Sequence, residues 1–341
     1  MMLIKRAAAV AGIVLSFAAS ACAQESPAYE WKHLNVYIGT TTGGGFDAYA
    51  RLLARHIGRH LPGKPSPTPI NRPGAGGIAL MNQIYATGAK DGTDIAVVAP
   101  GFVIDHVLYG DQSKAVFDPV KFNWIGNMAQ DPSVFVAWKW KGFKLADILA
   151  GKEMTVGMPG PGGGPWFYSR ALNALFGAKL RVVSGYPGVA EVLLAIEKGE
   201  LDGVAGTTWS GLKATKGHWF SSDSAEVLLA YSKQRLPDLP EVPAVAEIIK
   251  SEETRSILDV ISGLEAMNRP VFSPPGIAAD RVAALRKAFD ETAADPEFLA
   301  DAKRMLLPIA ATSGAQVQEI VGRIAAPPDA VVKRLREIYR E

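Results

Sequence analysis

LNVYIGTTTGGGFDAYARLLARHIGRH, residues 34–60, lays out a strand, a turn and a helix in one stretch. Leu34 to Ile38 is a short run of alternating character, the pattern of a strand. Gly43, Gly44 and Gly45 break it. From Ala48 to His60, Ala48, Leu52, Leu53 and Ile57 recur at helical spacing, and Pro62-Gly63 stops the helix. A Gly-rich turn that opens a helix exposes backbone N–H groups at the positive end of the helix dipole. Such a place holds an anion without needing a charged side chain. Thr40, Thr41 and Thr42 add hydroxyls beside the turn, and Asp47 falls at the start of the helix, where a carboxylate suits the dipole and can fix the loop. An ordinary helix start with Asp47 as a local cap is the alternative for this turn taken alone.

The same plan recurs later. Met154 to Gly157 is a strand, Met158 to Pro165 is rich in Gly and Pro, and Trp166 to Phe176 is helical. Short apolar runs alternate with amphipathic segments along most of the chain, which marks an α/β fold. The further strands expected are a piece within Pro65–Gly77, Ile95–Ala99, Val134–Ala137, Arg181–Val183, Gly203–Ala205 and Val227–Ala230. Ile78–Ala86 and Val189–Lys198 read as helices. Toward the C-terminus the helices are Asp280–Ala293, Pro296–Met305, Ala315–Ile324 and Asp329–Tyr339.

The N-terminus has the form of a secretory signal. Lys5 and Arg6 precede an apolar run from Ala7 to about Ala19, shorter than the roughly 20 residues a spanning helix needs. Ala21-Cys22-Ala23 supplies small residues for cleavage before Gln24, so a periplasmic protein is expected; a lipid on Cys22 is the alternative. Of the 36 basic residues, cleavage removes Lys5 and Arg6 and no acid, leaving 34 against 34 acidic residues. A neutral mature chain argues against nucleic acid or an anionic membrane as partner. The one cysteine leaves with the signal, which excludes disulfides and thiolate metal sites. Apolar content of 48% is ample for two cores in the remaining length.

Familiar chemistry is absent from the motifs. The three adjacent glycines lack G-x-G-x-x-G spacing, and no P-loop occurs. His56 and His60 stand four apart, but Ile57 occupies the position of the zinc-protease glutamate. His56, Arg59 and His60 read instead as a solvated basic face. There is no G-x-S-x-G elbow. No catalytic residue, metal or cofactor is assigned, and an exported hydrolase stays open as the alternative to a binding protein.

Taken together, Gly43-Gly-Gly-Phe-Asp-Ala-Tyr-Ala-Arg-Leu-Leu-Ala-Arg55, Asn71-Arg-Pro-Gly-Ala-Gly-Gly77 and Lys90-Asp-Gly92 before a strand resemble the substrate-binding family of tripartite tricarboxylate transporters, the TctC or Bug receptors. Phe117-Asp-Pro119, Leu236-Pro-Asp-Leu-Pro240 and Pro274-Pro-Gly276 extend the likeness to the C-terminus. The resemblance implies a two-lobed, type II periplasmic-binding-protein fold, two α/β domains joined by crossing strands. Domain 1 would combine 24–124 with 239–341, and domain 2 would be 125–238. It implies a monomer that closes on a small organic acid and delivers it to the membrane subunits of such a transporter; an orphan receptor or sensor is the variant without one.

Carried over by position, the first binding loop is Thr41, Thr42, Gly43, Gly44, Gly45, Phe46 and Asp47. The second runs from Gly157 to Trp166 and includes Gly160, Gly162, Gly163 and Gly164. Pro100, Gly101, Tyr186, Thr207, Thr208 and Trp209 are wall positions by the same resemblance. The sequence departs from the family at Met158 and Trp166, where Ser and His are frequent, and at Gly206-Thr207, where acids are frequent. Fewer hydroxyls and more aromatic surface point to an aromatic or apolar carboxylate. Trp166 and Trp209 either stack on such a ring or belong to the core.

Overall fold

The computed structural model describes residues 30–40, 42–43, 45–74, 77–160 and 163–339. The export signal and Cys22 lie outside the described residues, as do Thr41, Gly44 and Gly162 of the expected binding loops. In chain order, β1 (Leu34–Ile38), α1 (Gly45–Ile57), β2 (Pro67–Asn71), α2 (Ile78–Thr87), β3 (Asp94–Val97), α3 (Asp105–Tyr109) and β4 (Asn123–Asn127) come first. Next are β5 (Ser133–Trp138), α4 (Leu145–Leu149), β6 (Glu153–Gly157), α5 (Gly164–Phe176), β7 (Lys179–Val183) and α6 (Val189–Glu197). The chain goes on through β8 (Gly203–Thr208), α7 (Trp209–Lys216), α8 (His218–Ser221) and β9 (Ala225–Ala230). It then runs α9 (Val245–Ile248), α10 (Glu252–Ala266), β10 (Pro270–Ser273), α11 (Ala279–Ala294), α12 (Pro296–Arg304), β11 (Thr312–Ser313), α13 (Gly314–Ala325) and α14 (Asp329–Tyr339).

The strands form two sheets. The first has the order β11-β4-β10-β3-β1-β2 and the second β7-β6-β8-β5-β9. β1 pairs in parallel with β2 and β3, and β6 pairs in parallel with β7 and β8, as strand–helix–strand units require. β10 enters the first sheet antiparallel, between β3 and β4. The chain leaves that sheet once, from β4 to β5, and returns to it after β9.

Every face of both sheets is covered. Ile95, Val97, Ile125 and Val271 point to one side of the first sheet, where α1 and α11 pack with Leu53, Ile57, Leu285 and Phe289. Their sequence neighbours Ala96, Trp124 and Phe272 point to the other side, as the two-residue period of a strand demands. That second cluster continues without a break through Phe135, Met154 and Val156 of the second sheet. Val134, Val136, Val204 and Val227 cover the remaining face against α6 and α7. The near-continuous apolar character of these strands follows from burial on both faces.

Two sequence readings change. The strands β4 and β10 and the helix α10 do not stand out in the apolar pattern, yet β10 holds the first sheet together. The basic face His56–Arg59–His60 is only partly solvated: Arg59 is exposed, but all three side chains have acidic partners. His56 is buried with its Nε2 3.0 Å from Asp301, and His60 Nε2 is 3.0 Å from Asp295. Arg59 pairs with Glu297 and Asp295. α12 brings these carboxylates in from far along the chain, so the charges meet across a helix–helix contact. Among the described residues no helix is long and apolar enough to cross a membrane.

Phe272, fully buried, has its ring centroid 5.1 Å from Phe122, 5.4 Å from Trp124 and 6.0 Å from Phe102. Phe272→Ala is expected to cost about 3–5 kcal/mol, because it removes the centre of that aromatic packing and leaves a cavity. Guanidinium denaturation of wild type and variant measures it; a loss under about 1 kcal/mol would show that the cluster closes over the gap.

Candidate functional site: a cleft at the carboxyl ends of the strands

A cavity of about 1090 Å³ opens where the two sheets present their ends. From the first sheet's side it is lined by Phe46 in the first turn of α1, by Ala99-Pro100-Gly101 after β3, and by the segment from Ile261 to Arg269. From the second it is lined by the β6–α5 turn, the residues leading into α6, and the end of β8. Ligands of open α/β sheets bind at such carboxyl ends. Most of the wall is apolar: Phe46, Phe167, Tyr168, Tyr186, Val189, Leu193 and Leu194 all contribute.

Of the residues singled out in the sequence, the cavity brings together Phe46, Pro100, Gly101, Gly160, Gly163, Gly164, Tyr186, Thr207 and Thr208. It does not take in Thr42, Gly43, Gly45, Asp47, Trp166 or Trp209. Asp47 faces inward to its own loop. Its Oδ2 accepts from the Gly43 N–H at 2.9 Å, and its Oδ1 accepts from Arg51 Nε and Asn71 Nδ2, each at 2.9 Å. Asn71 Nδ2 also donates to the Thr40 carbonyl, and Arg51 Nη2 donates to Asn71 Oδ1. Burial alone would raise the Asp47 carboxyl, but these bonds from Arg51, Gly43 and Asn71 outweigh it and hold it below the usual range. The Asp and Asn of the two sequence motifs thus staple the turn to α1 and β2.

Both tryptophans are core. Trp166 packs 4.8 Å from Phe167 and 4.9 Å from Tyr339, centroid to centroid. Trp209 packs 5.1 Å from Phe220, and its indole N–H reaches Asp238 at 3.3 Å. Gly164 and Gly206 have a steric reason. A Cβ on Gly206 would come 2.5 Å from the Gly164 carbonyl oxygen, and one on Gly164 would come 2.2 Å from that of Gly206. The backbone of the second turn therefore lies directly on β8, with φ of +103° at Gly206, and the acidic residue frequent in the resembling family has no room there.

Sequence reading missed the charged residues of the cavity wall: Glu191, Lys216, which pairs with Glu197 at 2.8 Å, Glu265 and Arg269. Arg269 precedes β10, and its guanidinium lies over the Phe46 ring at 4.4 Å and the Tyr49 ring at 5.0 Å. Nη1 donates to the Asn268 carbonyl at 2.9 Å and to the Asn268 side chain, whereas the buried Nε has no partner. Nη2 sits 3.3 Å from where a Gly45 side chain would begin, beside the start of α1. Among the described residues no carboxylate forms an ion pair with it. Burial lowers its proton affinity, and Tyr49 and Asp131 partly restore it. Glu265, at the end of α10, accepts from the Ser133 N–H at 3.2 Å. Burial pushes its carboxyl up to about 7 against the hydrogen bond from Ser133 and the nearby Tyr168 hydroxyl, and the charge of Asp131 adds to the rise. Among the described residues no group of three or more His, Cys, Asp or Glu is placed to hold a metal.

No family model matches the chain, and no curated protein matches it significantly. Among solved structures it matches a TctC solute-binding protein from Polaromonas at a TM-score of 0.68 and 18% identity, over 89% of this chain and 98% of that one. It matches MatC from Rhodopseudomonas palustris, with bound malate, at 0.62 and 18%, over 90% and 99% of the two chains. A further R. palustris protein, with adipate, matches at 0.62 and 18%, over 90% and 95%. At these identities the likeness establishes the fold: the chain has the two-lobed α/β architecture of periplasmic solute-binding proteins, the architecture that the sequence resemblance implied.

Two outcomes follow from the charges. Asp47→Ala strands the Gly43 N–H and the Arg51 and Asn71 donors, and is expected to lower unfolding stability by about 1–3 kcal/mol. Denaturant titration checks this, and an unchanged midpoint would show that the staple is dispensable. Glu265 has a folded-state pKa near 7 against an ordinary 4.5, so ionising it opposes folding. The penalty is absent below the ordinary value, grows as pH rises through that window, and levels off above 7 at roughly 3 kcal/mol. Glu265→Gln should therefore gain thermal stability relative to wild type as pH is raised from about 5 to about 8. A difference in Tm that does not change with pH would mean that Glu265 ionises normally.

Proposed function

We propose that this chain is an extracytoplasmic solute-binding receptor, not an enzyme, that captures a small organic acid by closing two lobes around it. The lobes would be 24–124 with 239–341, and 125–238, with export directed by residues 1–23. The observation that carries the reading is the cavity itself. It draws its walls from both sheets, lies at the starts of α1 and α5, and contains a half-buried guanidinium that, among the described residues, has no carboxylate partner and a buried Nε without a hydrogen bond. A carboxylate bound there gains the helix dipoles and the charge-assisted bonds of Arg269. Because its contacts come from both lobes, it binds the closed form better than the open one, and that difference drives closure. Malate and adipate in two structures of the same fold support an organic acid. The apolar wall favours one with an aromatic or aliphatic body. Delivery to the membrane subunits of a tripartite tricarboxylate-type transporter is the destination that the sequence resemblance supports.

A thermal-shift panel of carboxylates on the mature protein tests the reading. A true ligand at about 100 times its dissociation constant should stabilise the fold by roughly 2.7 kcal/mol. Recovering that ligand unchanged after long incubation supports a receptor; its hydrolysis would make the protein an enzyme. Silence from every acid would sink the receptor reading.

A further inference from the structure

We infer that Arg269 and Glu265 are opposite poles of one ligand site, the guanidinium taking a carboxylate and Glu265 taking an ammonium group of the same molecule. The preferred ligand is then a zwitterionic amino acid with an apolar body rather than a di- or tricarboxylate. This rests on the preceding reading that the cavity takes an organic acid, and adds what else that acid must carry.

The first pole follows from three facts about Arg269. Phe46 and Tyr49 cover the guanidinium, and Nη1 is spent on Asn268, so hydrogen-bonding capacity is left at Nε and Nη2. Two adjacent N–H groups match the two oxygens of a carboxylate. The same cation lies against the start of α1, whose dipole already makes that region positive. A buried cation at the positive end of a helix is unfavourable alone and favourable with an anion between them.

The second pole has the opposite sign. Around Glu265 stand the Ser133 backbone N–H and hydroxyl, the Tyr168 hydroxyl and the charge of Asp131. Among the described residues no Lys, Arg or His forms an ion pair with Glu265, and Lys216 of the same wall is paired with Glu197. Tyr231 stacks on Tyr168 at 3.6 Å and closes that side. Asp131 is itself committed to the Ser210 N–H and hydroxyl at the start of α7. A second carboxylate entering here meets Asp131 and Glu265 together, whereas an ammonium relieves both. Glu265 and Arg269 both line the one cavity, and the charge of Asp131 acts on both.

Matched acids on the mature protein provide the test: L-phenylalanine against 3-phenylpropanoate, L-leucine against 4-methylpentanoate, and 6-aminohexanoate against hexanoate and adipate. Affinities are measured by calorimetry on wild type, Arg269→Gln, Arg269→Lys and Glu265→Gln. In wild type at least one amino acid should bind about tenfold or more tightly than its amine-free partner. That preference should grow from about pH 6 to about pH 8 as Glu265 ionises. Glu265→Gln should abolish both the preference and its pH dependence. Arg269→Gln should weaken every binder about tenfold or more, with Arg269→Lys, which keeps the charge without the fork, falling between. The wild-type preference and pH profile need no variant, so a variant that fails to fold leaves the inference testable. Tighter binding of adipate or of the amine-free acids would overturn it, as would variants that bind like wild type. If no acid binds to wild type, the organic-acid reading fails as well, and the two failures are thereby told apart.

Discussion

The return of the chain to its first sheet governs the arrangement. β10 can pair antiparallel with both β3 and β4 only if the chain, having built the whole second sheet, comes back between strands it laid down much earlier. α10 is the element that makes the return, and its end is fixed by the strand that follows. Residues 265–269 are therefore held at the junction of the two sheets, where the cavity lies. The aromatic packing around Phe272 anchors β10, and with it the position of Arg269 one residue before the strand. The packing core and the charged wall are consecutive along the backbone.

That wall is electrostatically unfinished. Elsewhere several charges are neutralised by partners: His56, Arg55 and Arg304 share Asp301, and Arg235 meets Glu247 through two hydrogen bonds. In the cavity Lys216 is paired with Glu197, but among the described residues Arg269 has no acid and Glu265 no cation in an ion pair, and Asp131 is already bonded to Ser210 at the start of α7. The cost of leaving such groups buried is a debt that only a bound molecule settles. Asp47 shows the difference between a charge that builds a site and one that serves it. Its lone pairs are filled by its own loop, so it shapes the turn and leaves recognition to others.

Much of this was legible in the sequence. The strand–turn–helix units announce themselves through period and glycine, and β1, α1, β6 and α5 fall where the pattern puts them. Of the positions taken from the resemblance, four loop residues and five wall residues line the cavity. What stayed hidden is non-local. β10 is four residues long and opens with Pro270, so no alternation can develop. The counter-ions of His56 and His60 lie on α12 and at its N-cap, far along the chain, so a solvated face was the natural reading. Trp166 and Trp209 offered no local means of telling core from cleft; Tyr339 and Phe220 decide it. Arg269 carried one faint signal: a lone charge in Met267-Asn-Arg-Pro-Val-Phe272, where a helix gives way to a buried strand.

The packing of α14 bears on how such a molecule is made. Its Tyr339 hydroxyl donates to the carbonyl of Phe167, 172 residues earlier, and its ring completes the cluster with Trp166 and Phe167. Arg170 and Arg334 tie the same two helices together, while Arg336 reaches Val107 beside α3. During synthesis, α5 thus emerges long before its partner does. Contacts of such large sequence separation form late, since their loop must close first. The aromatic seam between α5 and α14 therefore cannot close before α14 itself has been made.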